Sequence, residues 1–453
     1  MQRYLVRLRI GHRLYFFLAV LSLASLFGCS SSPQFTQPQP ITEPQPTDEV
    51  TRPSHVLTVL LETGDTPDTI RAQYGGDVLL WEENVYAVLG VTEAQAKATA
   101  NQSSKVTFEP NSKKFRSVGE VGMNGRSSLW AGGRSSLWAG GRSSLWAGGR
   151  SSLWAGGTFS WMPENTLLWQ QIRLQQGQAL APNLGYGIKV AVIDTGVDLS
   201  HPALQEALAP ASEWWDFYGN DAIPQEEGSF ADAGYGHGTN VAGIIRQIAP
   251  RATILPVRVL GPDGMGDVAS VAAGIQWAMA KGARIINLSL GSEDSLKAVE
   301  EVIKQATAKG IFVVASTGNT GDKNVTWPAS SAAEAKNRLR ISVTSVDEND
   351  KKSTFATYGR AVELSAPGEL VYGPAPELNM AAWSGTSQAA PMASGALALA
   401  LGQTLVVPSL NLVEELRVRA SDVYNNSLNE AYKDGLGKGR LNLEEFLRNV
   451  VKY

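Results

Sequence analysis

A doubly wound, mostly parallel α/β sheet preceded by a small α+β unit is the architecture this chain predicts, and three observations carry it. From Trp161 onward, short apolar runs alternate with segments of helical spacing, the pattern of strands buried on both faces by crossover helices. Residues 54–112 instead give six short elements in the order β-α-β-β-α-β, the ferredoxin-like split arrangement. Between the two lies a Gly/Ser-rich stretch with too little apolar surface to fold alone. The chain has 453 residues, enough for a large core plus accessory parts.

Taken in order, Arg3, Arg7, Arg9 and Arg13 precede an apolar run over 14–28, which reads as a secretory signal rather than a membrane span. Leu26-Phe27-Gly28-Cys29 resembles a bacterial lipobox, in which Cys29 would be lipidated and become the mature N-terminus. Ordinary signal cleavage would instead remove Cys29 or leave it as a free thiol. It is the only cysteine, so a disulfide within the chain and cysteine-built metal sites are excluded. Residues 30–53, rich in Ser, Pro, Gln and Thr, read as an extended tether. In the 54–112 unit, strands are expected at 55–62, 76–81, 85–91 and 105–109. Helices are expected at 67–74 and 92–100, the second capped by Thr92.

Residues 113–160 form the expected linker. Within it Arg-Ser-Ser-Leu-Trp-Ala-Gly-Gly occurs four times in register between Arg126 and Gly157, a period too short for a solenoid. In the 161–453 module, strands are expected at 188–193, 254–260, 284–290, 311–315 and 339–346. Helices are expected at 267–281, 295–309 and 388–401, with 410–420 and 443–451 closing the chain. The net charge of −4, with 18 % charged residues, argues against a nucleic-acid partner.

Three stretches carry chemistry. In Gly385-Thr386-Ser387-Gln388-Ala389-Ala390-Pro391 a serine stands where a loop turns into a small, apolar helix, with Pro391 expected in the first turn. The unpaired N–H groups there could stabilise an oxyanion. A lone serine before a helix is more often a cap, so a base and an acid are needed besides. Val192-Ile193-Asp194-Thr195-Gly196-Val197-Asp198 puts an acid directly after a buried strand, at the edge where such sheets collect active groups. Gly236-His237-Gly238-Thr239-Asn240-Val241-Ala242-Gly243 puts a histidine at a helix start, its flanking glycines expected to expose the ring. The chain has four histidines, two of them (His12 and His55) outside this module.

The order Asp194, His237, Ser387, each in a glycine-containing strand or helix terminus, resembles the subtilisin-like serine peptidases, the subtilase family. Ile286-Asn287-Leu288-Ser289-Leu290-Gly291, Val313-Val314-Ala315-Ser316-Thr317-Gly318-Asn319, Ser365-Ala366-Pro367-Gly368 and Leu436-Gly437-Lys438-Gly439-Arg440-Leu441-Asn442 extend the resemblance over nearly all of 161–442. It implies that His237 removes the Ser387 proton, that Asp194 orients His237, and that Asn319 donates its amide to the oxyanion. It implies pocket walls at Ser289, Leu290 and Gly291 and at Ala315, Ser316, Thr317 and Gly318. It also implies a substrate-pairing edge that includes Gly264, Met265 and Gly266. Those walls carry no charge, so large apolar side chains are the expected preference.

The resemblance makes 54–112 an inhibitor-type propeptide lying in the cleft, with processing expected anywhere from about Lys113 to Trp161. Ala203 stands where many relatives place an acid, and the loop after Ile244 is short. No metal ligand is therefore assigned and no cofactor is required, with calcium possible although the usual main site is missing. Asn240, Gln388 and Met392 depart from common family residues. The expected product is an exported serine endopeptidase, lipid-anchored or extracellular and monomeric, acting on proteins or peptides and made as a zymogen. The alternatives are an inactive or self-inhibited surface binding protein on the same frame, and a surface protein whose Trp repeats bind a partner. An esterase is disfavoured because Gly-x-Ser-x-Gly is missing.

Overall fold

The structure, a computed structural model, describes residues 52–99, 105–117, 163–333 and 338–452. The export signal, Cys29, the tether as far as residue 51 and the four octapeptides lie outside the described residues. None of the described helices is long and apolar enough to cross a membrane.

The small domain runs β1 (His55–Leu60), α1 (Pro67–Tyr74), β2 (Asp77–Glu82), β3 (Tyr86–Val91), α2 (Glu93–Thr99) and β4 (Val106–Pro110). Its antiparallel sheet has the order β2-β3-β1-β4, which follows from pairing the β2–β3 hairpin beside β1. Local chemistry starts both helices. Thr66 and Thr69 make a reciprocal capping box before Pro67. Thr92 N–H donates to Gln95 Oε1 at 2.8 Å while Gln95 N–H donates to Thr92 Oγ1 at 3.3 Å. Alternation along the strands sends Leu57, Val59, Ala87 and Leu89 onto the helices. Val56, Tyr86 and Val88 go the other way, into a core shared with the larger module. Glu109, buried in β4, accepts from the N–H groups of Lys297 and Ala298 at 3.0 Å each. These belong to a helix whose own capping residue, Leu296, offers no side-chain acceptor.

Next comes β5 (Lys113–Ser117), in the stretch assigned from sequence to the linker. The larger module then runs α3 (Thr166–Gln171), α4 (Leu174–Ala179), β6 (Lys189–Asp194), β7 (Trp215–Asp216), α5 (His237–Ile248), β8 (Thr253–Arg258), β9 (Met265–Asp267) and α6 (Val268–Ala280). It continues with β10 (Ile285–Leu288), β11 (Leu290–Gly291), α7 (Lys297–Ala308), β12 (Phe312–Ser316), β13 (Arg340–Val346), β14 (Leu364–Pro367), the hairpin β15 (Val371–Ala375) and β16 (Asn379–Trp383), α8 (Thr386–Leu401), α9 (Leu412–Val418) and α10 (Leu443–Val450).

Among the described residues seven strands form one parallel sheet in the order β14-β13-β12-β10-β6-β8-β7. In β6, Val190 and Val192 join a core with α5, α8 and α10, while Ala191 and Ile193 join one with α6 and α7. Helices therefore cover both faces, as the unbroken apolar strands require. Close helix approach is set by Gly395 of α8: a Cβ there would lie 2.7 Å from Ile248 Cβ of α5.

Two readings change. Pro391 is not in the first turn, because Gly385 caps α8 and the helix begins at Thr386, so the proline is interior. The helix tolerates it because the carbonyl left without its usual N–H partner, that of Ser387, accepts the Ser289 Oγ–H at 2.8 Å. The strand Lys113–Ser117 forms because it finds partners on both sides, β9 and β11, which no local pattern announces.

Candidate active site

Asp194 ends β6, His237 begins α5, and Ser387 is the second residue of α8. All three stand at the carboxyl ends of strands or at helix starts facing them. Asp194 Oδ1 lies 2.7 Å from His237 Nδ1 and also accepts the Thr195 N–H at 2.8 Å. Both side chains are about 1 % exposed, so the pair is screened little by water.

The ring of His237 is thus buried, not exposed as its glycine neighbours suggested. Gly236, at φ +91°, turns the chain inward, and Gly238 lets α5 press against the end of β6. A Cβ on Gly238 would stand 2.1 Å from Gly196 O and 3.0 Å from Asp194 Cβ. Trp383 closes over the imidazole edge to face, ring centroids 5.9 Å apart. With Nδ1 on the carboxylate, Nε2 is the nitrogen left for proton transfer, and it is buried without a hydrogen-bond partner among the described residues. The Ser387 hydroxyl donates to Ser289 O at 3.2 Å. His201, the other histidine of the module, accepts from Ala203 N–H at Nδ1, so Nε2 is its donor and pairs with Asn379 O. It is a satisfied structural residue.

Asn319 lies against the start of α8. Its Oδ1 accepts the Thr386 N–H at 2.9 Å and the Thr386 hydroxyl at 3.1 Å, which fixes the amide so that Nδ2 is the donor end. Ala315 and Ser316 end β12, and Thr317 and Gly318 lead to Asn319. Ser289 follows β10, anchored through Asn287 Nδ2 at 2.9 Å, and Asn287 Oδ1 in turn accepts the Ser394 hydroxyl of α8 at 2.8 Å. Leu290, Gly291, Met265 and Gly266 flank β5, pairing with Ser117, Arg116, Arg116 and Phe115 respectively. Gly264 O accepts the Ser117 N–H at 2.7 Å. Phe115 is fully buried in the core that includes Leu260, Val268 and Leu290, its ring 6.1 Å from that of Trp327.

Two departures from common residues meet here: Gln388 Nε2 donates to Asn240 Oδ1 at 3.3 Å, tying α8 to α5 next to Ser387 and His237. Residues the sequence did not single out are Thr386, Trp383 and Glu226. Thr386 lies within the serine motif and Trp383 two residues before it, so both could have been suspected. Glu226 sits in no motif, yet its buried carboxylate accepts from the Thr239 N–H at 3.2 Å and the Thr239 hydroxyl at 2.8 Å, in the first turn of α5. Burial pushes its pKa up to about 7, against the lowering pull of Thr195 and Thr239, with Asp194 adding a smaller upward push. Because the folded pKa is raised above the unfolded value, the protonated form suits the fold. Stability tied to this group is complete below about pH 4.5 and falls as pH rises through about 7. In a Ser387→Ala background, Glu226→Gln should therefore gain thermal stability relative to its parent between pH 5 and pH 8. A melting-temperature difference that stays flat with pH would refute this.

The subtilase family model matches residues 185–406. Over 241 residues the chain is 38 % identical to thermitase of Thermoactinomyces vulgaris, spanning 51 % of this chain and 81 % of that protein. Over 273 residues it is 33 % identical to subtilisin BL of Lederbergia lenta, spanning 58 % of this chain and 92 % of that one. The solved structure of a cold-adapted subtilisin-like serine proteinase aligns with a TM-score of 0.48 at 30 % identity, over 57 % of this chain and 89 % of the other. With most of thermitase and of subtilisin BL covered at such identities, this chain belongs to the subtilase family of serine endopeptidases.

Proposed function

We propose that the chain is an exported, lipid-anchored zymogen of a serine endopeptidase, and that Asp194, His237, Ser387 and Asn319 perform its chemistry. The observation that carries this reading is the buried 2.7 Å pair of Asp194 and His237, with His237 Nε2 making no hydrogen bond among the described residues. His237 takes the proton as Ser387 Oγ attacks the peptide carbonyl, then gives it to the leaving amine, and water releases the acyl group by the same route. The Asn319 amide and the Ser387 N–H stabilise the tetrahedral oxygen. Removing one such donor costs roughly 10²–10³ in turnover, a magnitude established with subtilisin itself, a family member. Substrates are extended polypeptides added as a strand between β9 and β11. The uncharged walls over 289–291 and 315–318 favour large apolar side chains. No metal takes part in these steps, and with Ala203 in place of an acid the enzyme is expected to keep its rate in a chelator.

The small domain and β5 act as the built-in inhibitor, which also accounts for a self-inhibited state. Supporting this, β5 pairs with both β9 and β11, the edges proposed for substrate, with Ser117 opposite Leu290. The next residue in the sequence is Val118, and Ser289, which precedes Leu290, has its carbonyl 3.2 Å from Ser387 Oγ. We place the processing cut after Val118. Intact-mass analysis of incubated precursor should find a product beginning at Gly119, labelled by a fluorophosphonate at Ser387 and formed at equal rates with and without EDTA. A first cut far from Val118 would refute the register, and failure to label would refute the enzyme mechanism. Lipid at Cys29 would appear in the same spectrum, on the N-terminal fragment.

A further inference from the structure

Arg52, one residue before the end of the tether, is held by the peptidase module. Its Nη1 lies 2.6 Å from Asp267 Oδ2, its Nη2 donates to Tyr218 O at 2.7 Å, and its guanidinium stacks on the Tyr218 ring at 4.6 Å. The receiving groups are built into the enzyme. Asp267 is 4 % exposed and caps α6, its Oδ1 accepting the Ser270 N–H at 2.9 Å and its Oδ2 the Ser270 hydroxyl at 3.1 Å. The Tyr218 ring lies against Gly261, where a Cβ would come within 2.5 Å of it. On the other hand Arg258, 5.0 Å from the same ring, is already matched by Asp216 at 2.9 Å and Glu227 at 2.6 Å. Removing Arg52 therefore leaves a fixed, nearly buried carboxylate without that cation beside the Tyr218 ring and carbonyl, and burying an unpaired charge is costly.

This niche adjoins the cleft. Asp267 ends β9, the edge along which β5 lies, and it pairs in backbone register with Lys113. Lys113 is five residues before Val118, and is itself basic. We infer that Asp267 and Tyr218 form a guanidinium subsite, filled by Arg52 in the precursor and, once the small domain has gone, by an arginine of the substrate at the sixth position before the cut bond. The inference rests on the zymogen reading, since Arg52 must leave with the small domain. Arginine fits better than lysine because a planar fork can bond the carboxylate and the carbonyl together while stacking on the ring.

The test uses processed enzyme, its loss of residues 52–117 verified by intact mass, and fluorogenic peptides identical except for arginine, alanine or glutamate at that sixth position. Arginine should raise kcat/KM about 5- to 20-fold over alanine at low salt, glutamate should lower it, and added salt should shrink the difference. In Asp267→Asn the arginine-to-alanine ratio should fall to near one, while asparagine still caps α6. A processed enzyme with no arginine preference, or with the same preference in Asp267→Asn, overturns the subsite alone. An active enzyme whose mass shows residues 52–117 still attached overturns the zymogen reading and the subsite with it.

Discussion

Replacing Ser387 with alanine is expected to lower kcat/KM about 10⁶-fold and to leave the precursor as a single uncleaved chain. The reason is that in the proposed mechanism the three side chains act as one unit. Without the hydroxyl, the proton-accepting Nε2 of His237 has nothing to activate, and the orientation of the imidazole by Asp194 at 2.7 Å does no further good. Removing His237 as well should therefore cost little more, which separates a working triad from a set of independent contributions. The fold should survive, because the Ser387 backbone carbonyl, not its hydroxyl, holds the Ser289 bond that accommodates Pro391. Peptide hydrolysis, fluorophosphonate labelling and the intact mass of purified precursor are the measurements. Continued cutting near residue 118 by the alanine variant in a protease-free host would show that this serine is not the nucleophile of maturation.

How much of this was legible in the sequence depended on how local the cause was. The helix over Pro67–Tyr74 could be read to the residue because Thr66, Pro67 and Gly75 punctuate it. Five of the seven parallel strands could be read because they are apolar on both faces, as Val190 to Ile193 are, whereas β7, a Trp-Asp pair, and β14, Leu-Ser-Ala-Pro, carry no such run. Asp194, His237 and Ser387 were recognisable because glycines mark places where backbones must touch, and Gly238 against Gly196 is such a contact. What stayed hidden was non-local. The strand Lys113–Ser117 lies in a stretch read as a linker and becomes a strand only between two distant edges, Met265–Asp267 and Leu290–Gly291. Glu226 carries no motif, since its partner Thr239 is brought near by the fold. Pro391 was misplaced because its tolerance depends on Ser289, a residue about 100 positions earlier.

Asp194→Asn should lower kcat about 10⁴-fold with little change in KM. Asp194 Oδ1 accepts two bonds, from Thr195 N–H at 2.8 Å and from the His237 Nδ1 side at 2.7 Å. The other oxygen, Oδ2, is buried with no partner among the described residues. An asparagine has two ways to lie there and neither works. With its oxygen in the Oδ1 place, the bonds persist but two N–H donors enter a buried spot that offers no acceptor, and the imidazolium loses its counter-charge. With its nitrogen there, it confronts the Thr195 N–H and forces Nδ1 to accept. The imidazole proton then sits on Nε2, the atom that receives the Ser387 proton in the proposed mechanism. Nitrogen-15 spectra of the ring would distinguish the two, since only the second moves the proton. The substrate contacts proposed along β9 and β11 do not involve Asp194, which is why KM should hold. A large rise in KM with kcat preserved would mean that the carboxylate shapes the cleft rather than the proton path.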